Sequence, residues 1–259
     1  MTLRVMTWNV WWRFGAWGER QGGLLQTMRD SSADIIAVQE CWPDQIKGFA
    51  EALDFHWVTS QPDPDHEVGF VNAIMSRWPI DISAQDRLPS LTEPAHRSML
   101  FARSRTPFGP VPIVTTHLDY QYDRSAHRET QLEAVSKFAL AHRDDSDQFP
   151  TLLMGDLNAV PESDEVRRLT GRSRPYADGL IWSDVWEQVG DGPGHTWNEG
   201  NPNLEDPAWP NRRLDYVMIQ WPRNKPLGNP VAATLVGTRT LHGAVPSDHY
   251  AVVADLRSG

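Results

Sequence analysis

Short apolar runs at 3–8, 35–38, 111–114, 151–154, 217–219 and 251–254 each meet a carboxylate, an amide or an imidazole at one end. Runs this short suit buried strands, because a helix needs about ten or more residues to show its period. Asn9, Glu40, His117 and Asp156 follow their runs, whereas Asp215 and His249 stand just ahead of theirs. Polar groups delivered by the ends of several separate strands are how a fold converges ligands on one metal ion and one phosphate. No single pair carries that inference; the ordered set does.

Between these runs the helical signals are few. A polar, Gly-containing stretch from 13 to 23 leads into a helix expected to end near Arg29. Pro43 suits the first turn of a second helix, where its missing N–H does no harm, and Ile46, Phe49, Ala50 and Leu53 recur at the spacing of one buried stripe. Strand-like runs are expected at 55–59, 68–75, 80–82 and 98–102, separated by Pro-rich turns at 61–65 and 106–110. Residues 124–142 read as one amphipathic helix with Leu132, Val135, Ala139 and Leu140 inward, and 163–169 as a short one. Residues 190–211, rich in Gly, Pro and Asn, read as a long surface loop, a feature that is usually functional or mobile. Final strands are expected at 213–220, 231–236 and 250–256. The pattern predicts an α+β fold, two packed and mostly antiparallel sheets with helices on their outer faces. Nothing divides the chain, so 1–259 is expected to form one domain.

The chain has 259 residues, and its 40% hydrophobic and 22% charged composition is that of a globular protein. The formal charge of -10 argues against a tight non-specific grip on nucleic acid, which depends on cationic contacts to phosphates. It does not exclude a nuclease, since a metal ion supplies positive charge locally. Cys41 is the only cysteine, so no internal disulfide forms; it is expected to be buried and inert. The first residues carry no apolar signal region, and no run approaches the roughly 18 apolar residues of a membrane span. A cytoplasmic protein is the default expectation.

Hydrolysis of a phosphodiester requires an enzyme to neutralise the phosphate, activate a water and stabilise the departing oxygen. Mg²⁺ takes hard oxygen ligands and commonly only one or two carboxylates. Glu40, at the mouth of a buried strand, is the best candidate ligand, with Asp248 and Asn9 beside it directly or through water. The Gly155-Asp156-Leu157-Asn158 turn puts an acid and an amide two residues apart, on one side of an extended chain. Asp156 could orient or deprotonate the attacking water and Asn158 could donate to a phosphoryl oxygen, although an Asx turn explains the pair equally. His249 could donate to a phosphate oxygen with Asp215 fixing its ring and raising its pKa. His117 would be a second donor or the acid for the leaving group.

In order, Met6-Thr7-Trp8-Asn9, Val38-Gln39-Glu40, Thr116-His117-Leu118, Gly155-Asp156-Leu157-Asn158, Arg213-Leu214-Asp215-Tyr216 and Ser247-Asp248-His249 resemble the motifs of the endonuclease/exonuclease/phosphatase superfamily. They span almost the whole chain. The resemblance implies a four-layered α/β/β/α sandwich and Mg²⁺- or Mn²⁺-dependent phosphoester hydrolysis. By motif match it gives Glu40, Asn9 and Asp248 to the metal, and His117, Asp156, Asn158, Asp215 and His249 to catalysis. Apurinic-site endonucleases of the family carry Tyr where this chain has His117, which favours branches with a histidine pair. The segment from Asn72 to Arg77 resembles a strand that many members use beside the site. Arg128 and Gln131 match a common Arg-x-x-Gln spacing.

Trp11, Trp12 and Trp17, three of the 12 tryptophans, are expected to pack the sandwich edge rather than to form a stacking rim. His195, Trp197 and Trp209 lie in the long loop, the expected specificity element, and Trp197 joins Asn72 and Arg128 as a candidate substrate contact. The leading expectation is a metal-dependent phosphodiesterase acting on a small-molecule or short-nucleotide ester. Nuclease or DNA-end-processing activity is an alternative, as is a non-catalytic phospho-ligand binder on the same fold.

Overall fold

The runs are apolar on both faces because the fold covers both. The computed structural model describes residues 1–62, 69–91, 97–144, 147–204, 208–209 and 211–259. From the N-terminus come β1 (Thr2–Asn9), α1 (Trp17–Ser31), β2 (Ile35–Cys41), α2 (Pro43–Leu53), β3 (His56–Thr59) and β4 (Val71–Ser76). Next are β5 (Ile80–Arg87), β6 (Ser98–Thr106), β7 (Gly109–His117), α3 (Ser125–His142) and β8 (Leu152–Asp156). The chain ends with α4 (Asp164–Leu169), β9 (Ile181–Asp184), α5 (Val185–Val189), β10 (Asp215–Trp221), β11 (Pro230–Val236) and β12 (Ala251–Arg257).

The strands form two six-stranded sheets, ordered β11-β12-β1-β2-β4-β3 and β5-β6-β7-β8-β10-β9. Successive side chains of a strand point to opposite faces, and each face meets an apolar layer. Leu3 and Val5 of β1, Ile113 of β7 and Met154 of β8 fill the space between the sheets. Met6 and Trp8 of β1 point the other way, toward Leu24 and Met28 of α1 and Phe49 of α2. Leu153 of β8 and Met218 of β10 pack with Leu132 and Val135 of α3 and Val166 of α4. The result is the expected four-layered α/β/β/α sandwich. Polar pairs cross the apolar seam, among them Gln39 Nε2 donating to Thr115 Oγ1 at 2.9 Å, Asn72 Nδ2 to Ser98 O at 2.8 Å, and Ser76 meeting Ser104 at 2.6 Å.

Among the described residues only β1–β2 and β7–β8 pair in parallel. The C-terminal ends of these four strands therefore share one edge of the sandwich. The antiparallel strands β10 and β12, lying beside β8 and β1, bring their beginnings to the same edge. That arrangement positions the site.

Several details differ from expectation. β5 and β6 run past Ile82 and Ala102, because β5 is an edge strand whose polar residues hide its length from an apolar count. β9 and α5 were not expected; Asp184 ends the first and caps the second, accepting from Trp186 N at 3.0 Å. Leu140 is exposed rather than inward on α3. Val68, the expected start of the strand at 68–75, lies outside the described residues, as do Asp63, Pro64 and Asp65. Among the described residues no helix is long and apolar enough to cross a membrane.

Candidate active site

Strand register does most of the assembly. His117 on β7 pairs with Asp156 on β8, and Asp156 pairs with Asp215 on β10, so three functional groups stand side by side at one sheet edge. Across the seam the other sheet supplies Asn9 from β1, Glu40 from β2, and Asp248 and His249 ahead of β12. Gly155 permits the close β7–β8 approach: a Cβ there would lie 2.1 Å from the Thr116 carbonyl oxygen. Glu40 has φ +53° beside a register shift between Val38 and Cys41. Such a bulge re-aims a side chain, and the left-handed backbone costs about 1–3 kcal/mol in a non-glycine residue. Asn158, at φ +48°, turns the chain away from β8 in a conformation asparagine tolerates.

These groups surround a cavity of about 370 Å³. Asn9 Nδ2 donates to Asp156 Oδ2 across the seam at 3.1 Å. His249 Nδ1 lies 2.8 Å from Asp215 Oδ2, and its Nε2 is 3.8 Å from Asp156. His117 lies between two carboxylates, Nε2 3.4 Å from Asp156 and Nδ1 3.8 Å from Glu40. Asn158 N donates to Asp156 Oδ1 at 2.9 Å, and its Nδ2 donates to Leu118 O at 3.0 Å. Ser247 Oγ donates to Asn9 O at 2.7 Å and so ties the approach to β12 to the end of β1.

The electrostatics divide the two imidazoles. Burial works against a charged His249, but Asp215, Asp156 and Asp248 together outweigh it and hold the ring protonated, well above its ordinary pKa. Burial, reinforced by the Arg97 and His249 charges, keeps His117 neutral, well below its ordinary pKa. Burial raises Glu40; burial and then Asp215 push Asp156 up to about 6, and burial and Glu40 help push Asp248 up to about 7. A buried set of carboxylates that resist ionisation in one another's presence is the charge pattern a divalent cation relieves. Glu40, Asp248 and Asn9 offer hard oxygen donors of the type Mg²⁺ takes. Asp156, Asp215 and His249 also bring ligand-type atoms within 4.8 Å of one another. There, however, the Nδ1 of a protonated His249 is committed to Asp215, which suits holding a proton better than holding a metal.

Other expected contacts fall elsewhere. Asn72 does not line this cavity; its amide donates to Ser98 across the sheets. Arg128 is also absent from the lining, because its guanidinium pairs with Glu165 at 2.8 Å and donates to Gln121 O at 2.6 Å, fixing the chain after β7. Trp197 does line the cavity, edge-on to His249 with centroids 5.0 Å apart. On either side of Trp197, Thr196 Oγ1 accepts from Leu214 N at 3.1 Å, and Asn201 Nδ2 donates to Ser247 O and Asp248 O at 2.9 Å. Trp12 and Trp17 pack against Trp42 as expected, but Trp11 lines the cavity.

Sequence reasoning missed Arg97 and most of the aromatic wall, Phe14, Phe70, Tyr120 and Tyr122. Arg97 stands one residue ahead of β6, the same placement that singled out Asp215 and His249, and its buried Nη1 has no hydrogen-bond partner among the described residues. The wall residues sit on loops with no comparable signal. Arg20 was also missed. Buried under Trp11, it donates to the carbonyls of Val10, Trp11, Trp12, Phe14 and Pro246 and fixes the loop after β1.

The fold recurs in known proteins. Tyrosyl-DNA phosphodiesterase 2 of Xenopus tropicalis is 24% identical over 245 residues, covering 92% of this chain and 61% of that protein. The Homo sapiens protein of that name is 25% identical over 260 residues, covering 97% of this chain and 67% of the relative. The chain thus spans about three fifths to two thirds of the length of these curated relatives. Among solved structures, D. rerio TDP2 complexed with single strand DNA product has a TM-score of 0.81 at 22% identity, with 99% of each chain covered. An endonuclease/exonuclease/phosphatase from Bacteroides vulgatus has a TM-score of 0.78 at 16% identity, again with 99% of each chain covered. At those identities the structural likeness is one of fold. A family model matches residues 6–249, from the first strand to the histidine ahead of the last, and the chain belongs to the Endonuclease/Exonuclease/phosphatase family.

Proposed function

We propose that the protein is a divalent-metal-dependent phosphodiesterase whose substrate joins an aromatic hydroxyl to the phosphate of a nucleotide or short nucleotide strand. The observation that carries this reading is a single cavity with a protonated imidazole, a neutral imidazole and a basic carboxylate at its base and aromatic rings as its walls. Glu40, with Asn9 and Asp248, would hold Mg²⁺ or Mn²⁺. Bound there, the ion would neutralise charge on the phosphate and on the departing oxygen.

The chain's own groups have separable tasks. Asp156, lifted to about 6 and steadied by the Asn9 amide, is basic enough to take a proton from an attacking water near neutrality. His249 turns Nδ1 to Asp215 and keeps Nε2–H to offer to a phosphoryl oxygen. His117, being neutral, has one N–H to donate. Asn158 spends one amide hydrogen on Leu118 O and retains the second for the phosphate. Trp11, Phe14, Phe70, Tyr120, Tyr122 and Trp197 supply stacking surface for an aryl group or a base. Similarity to proteins named tyrosyl-DNA phosphodiesterase 2 supports an aryl-ester substrate. The cavity therefore favours an aromatic nucleotide ester over an arbitrary small phosphoester, with DNA-end processing as the setting.

The test is hydrolysis of thymidine 5′-phosphate p-nitrophenyl ester, bis-p-nitrophenyl phosphate and p-nitrophenyl phosphate in Mg²⁺, Mn²⁺ or EDTA. The nucleotide diester should be turned over fastest and only with metal. Turnover that survives chelation, or a preference for the monoester, overturns the proposal.

A further inference from the structure

Arg212 differs from its arginine neighbours. Arg213 pairs with Asp184 at 2.7 Å and Arg128 with Glu165 at 2.8 Å, so both are held by carboxylates. Among the described residues Arg212 forms no ion pair with a carboxylate, and its buried Nε has no hydrogen-bond partner. Its backbone is fixed by paired hydrogen bonds with Trp197, at 3.0 and 2.8 Å. Its guanidinium lies 4.7 Å from the Tyr122 ring and 5.5 Å from the Trp197 ring. Stacking of that kind uses the faces of a guanidinium; Tyr122 also takes a hydrogen bond from its edge, and the remaining N–H donors are left to a ligand, the geometry that suits a phosphate.

Arg212 also occupies a junction. It lines the catalytic cavity and, alone among that cavity's lining residues, lines a second one of about 770 Å³. The second cavity's Arg167 and Arg172 are offset by Asp164 and Glu187, so they add little net attraction for an anion. Exposed Trp209 packs edge-on to Tyr122 at 5.1 Å and extends an aromatic platform on the same side. A substrate leaving the catalytic cavity in this direction meets a stacked cation with no carboxylate partner among the described residues, beside ring surfaces that suit bases.

We infer that Arg212 binds the phosphate next to the scissile one and directs a nucleotide strand from the catalytic cavity into its neighbour. This rests on the phosphodiesterase reading above and adds a requirement for a second phosphate. Asp156 interacts with the Arg212 charge at long range, so an arginine that only balanced Asp156 would affect every substrate alike. A phosphate-binding arginine would affect only substrates that carry a second phosphate.

The experiment compares p-nitrophenyl esters of the 5′-phosphate of thymidine and of a thymidine tetranucleotide, in Mg²⁺ and over about 50–200 mM salt. Wild-type protein, Arg212→Leu and Arg212→Lys are measured. The wild type should prefer the tetranucleotide in kcat/KM. Arg212→Leu should lower the tetranucleotide-to-mononucleotide ratio about tenfold, chiefly through KM, with Arg212→Lys in between. The slope of log KM against log salt for the tetranucleotide should fall by about 0.7, the share of one phosphate contact on a single strand. A variant with the wild-type circular dichroism spectrum that lowers both substrates together, leaving the ratio unchanged, overturns the inference. So does a wild type that cleaves both esters without preferring the longer one, and in that case the phosphodiesterase reading stands. Failure of the wild type to cleave either ester removes that reading and this one with it.

Discussion

Gly155→Ala separates two contributions of one residue, to stability and to site geometry. Thr116 and Gly155 are partners in the parallel β7–β8 pair, and a Cβ on Gly155 would sit 2.1 Å from the Thr116 oxygen and 3.1 Å from its carbonyl carbon and nitrogen. Carbon and carbonyl oxygen rest about 3.3 Å apart or more, so the strands must part by about 1 Å. Overpacking a core costs about 1–3 kcal/mol, and the upper end applies because the obstacle is backbone in the middle of a sheet. A cost of about 3 kcal/mol lowers Tm by roughly 6–12 °C in a chain of this size. The next residue is Asp156, whose carboxylate lies 3.4 Å from His117 and 3.1 Å from Asn9. Misplacement by about 1 Å costs on the order of a hundredfold in rate. Calorimetry and kcat on the nucleotide aryl ester, measured well below the new Tm, read the two effects separately. A Tm within about 1 °C of wild type refutes the steric reasoning. A lowered Tm with unchanged kcat refutes the claim that this strand spacing sets the Asp156–His117 geometry.

Asp215→Asn removes the charge that helps keep His249 protonated, so the pH profile of kcat should lose activity at lower pH on its alkaline side, with kcat near neutrality down about 10- to 100-fold. The sign follows from the raised pKa: the imidazolium and the stability it lends persist below its ordinary pKa and are lost as pH climbs through the folded value. An unmoved alkaline limb would deny His249 this role. Glu40→Ala should raise the Mg²⁺ concentration giving half-maximal rate about tenfold or more while leaving the circular dichroism spectrum unchanged; an unaltered metal titration removes Glu40 from the ligand set. Arg20→Met strands five loop carbonyls, so unfolding free energy should drop about 2–4 kcal/mol in urea, with KM rising as Trp11 and Phe14 lose their support. Full stability in that variant would refute the anchoring role.

The position of each polar residue relative to its apolar run carried more information than its identity. Asn9, Glu40, His117 and Asp156 follow their runs and lie on the two parallel pairs; Asp215 and His249 precede theirs and introduce antiparallel partners. One edge of the sandwich is thus written into the sequence as strand direction, and Arg97 ahead of β6 obeys the same rule. Asn72 lies inside β4, where both faces are covered, so its amide is spent on Ser98. Arg128 has the right spacing but faces Glu165 of the next helix. Leu140 lies roughly 100° around α3 from Ala139 and so leaves the buried stripe. Loop aromatics such as Phe70 and Tyr122 reach the cavity through tertiary packing, which has no sequence period.

Neither sheet owns the reaction centre. One contributes Asn9, Glu40, Asp248 and His249, the other His117, Asp156 and Asp215, and the bonds Asn9–Asp156 and His249–Asp215 cross from one to the other. A half-assembled chain with either layer formed alone would hold an incomplete set of reagents and be inert. Hydrolytic capacity would then arrive in a single step, on docking, and a loosened interface would extinguish it before the protein unravelled.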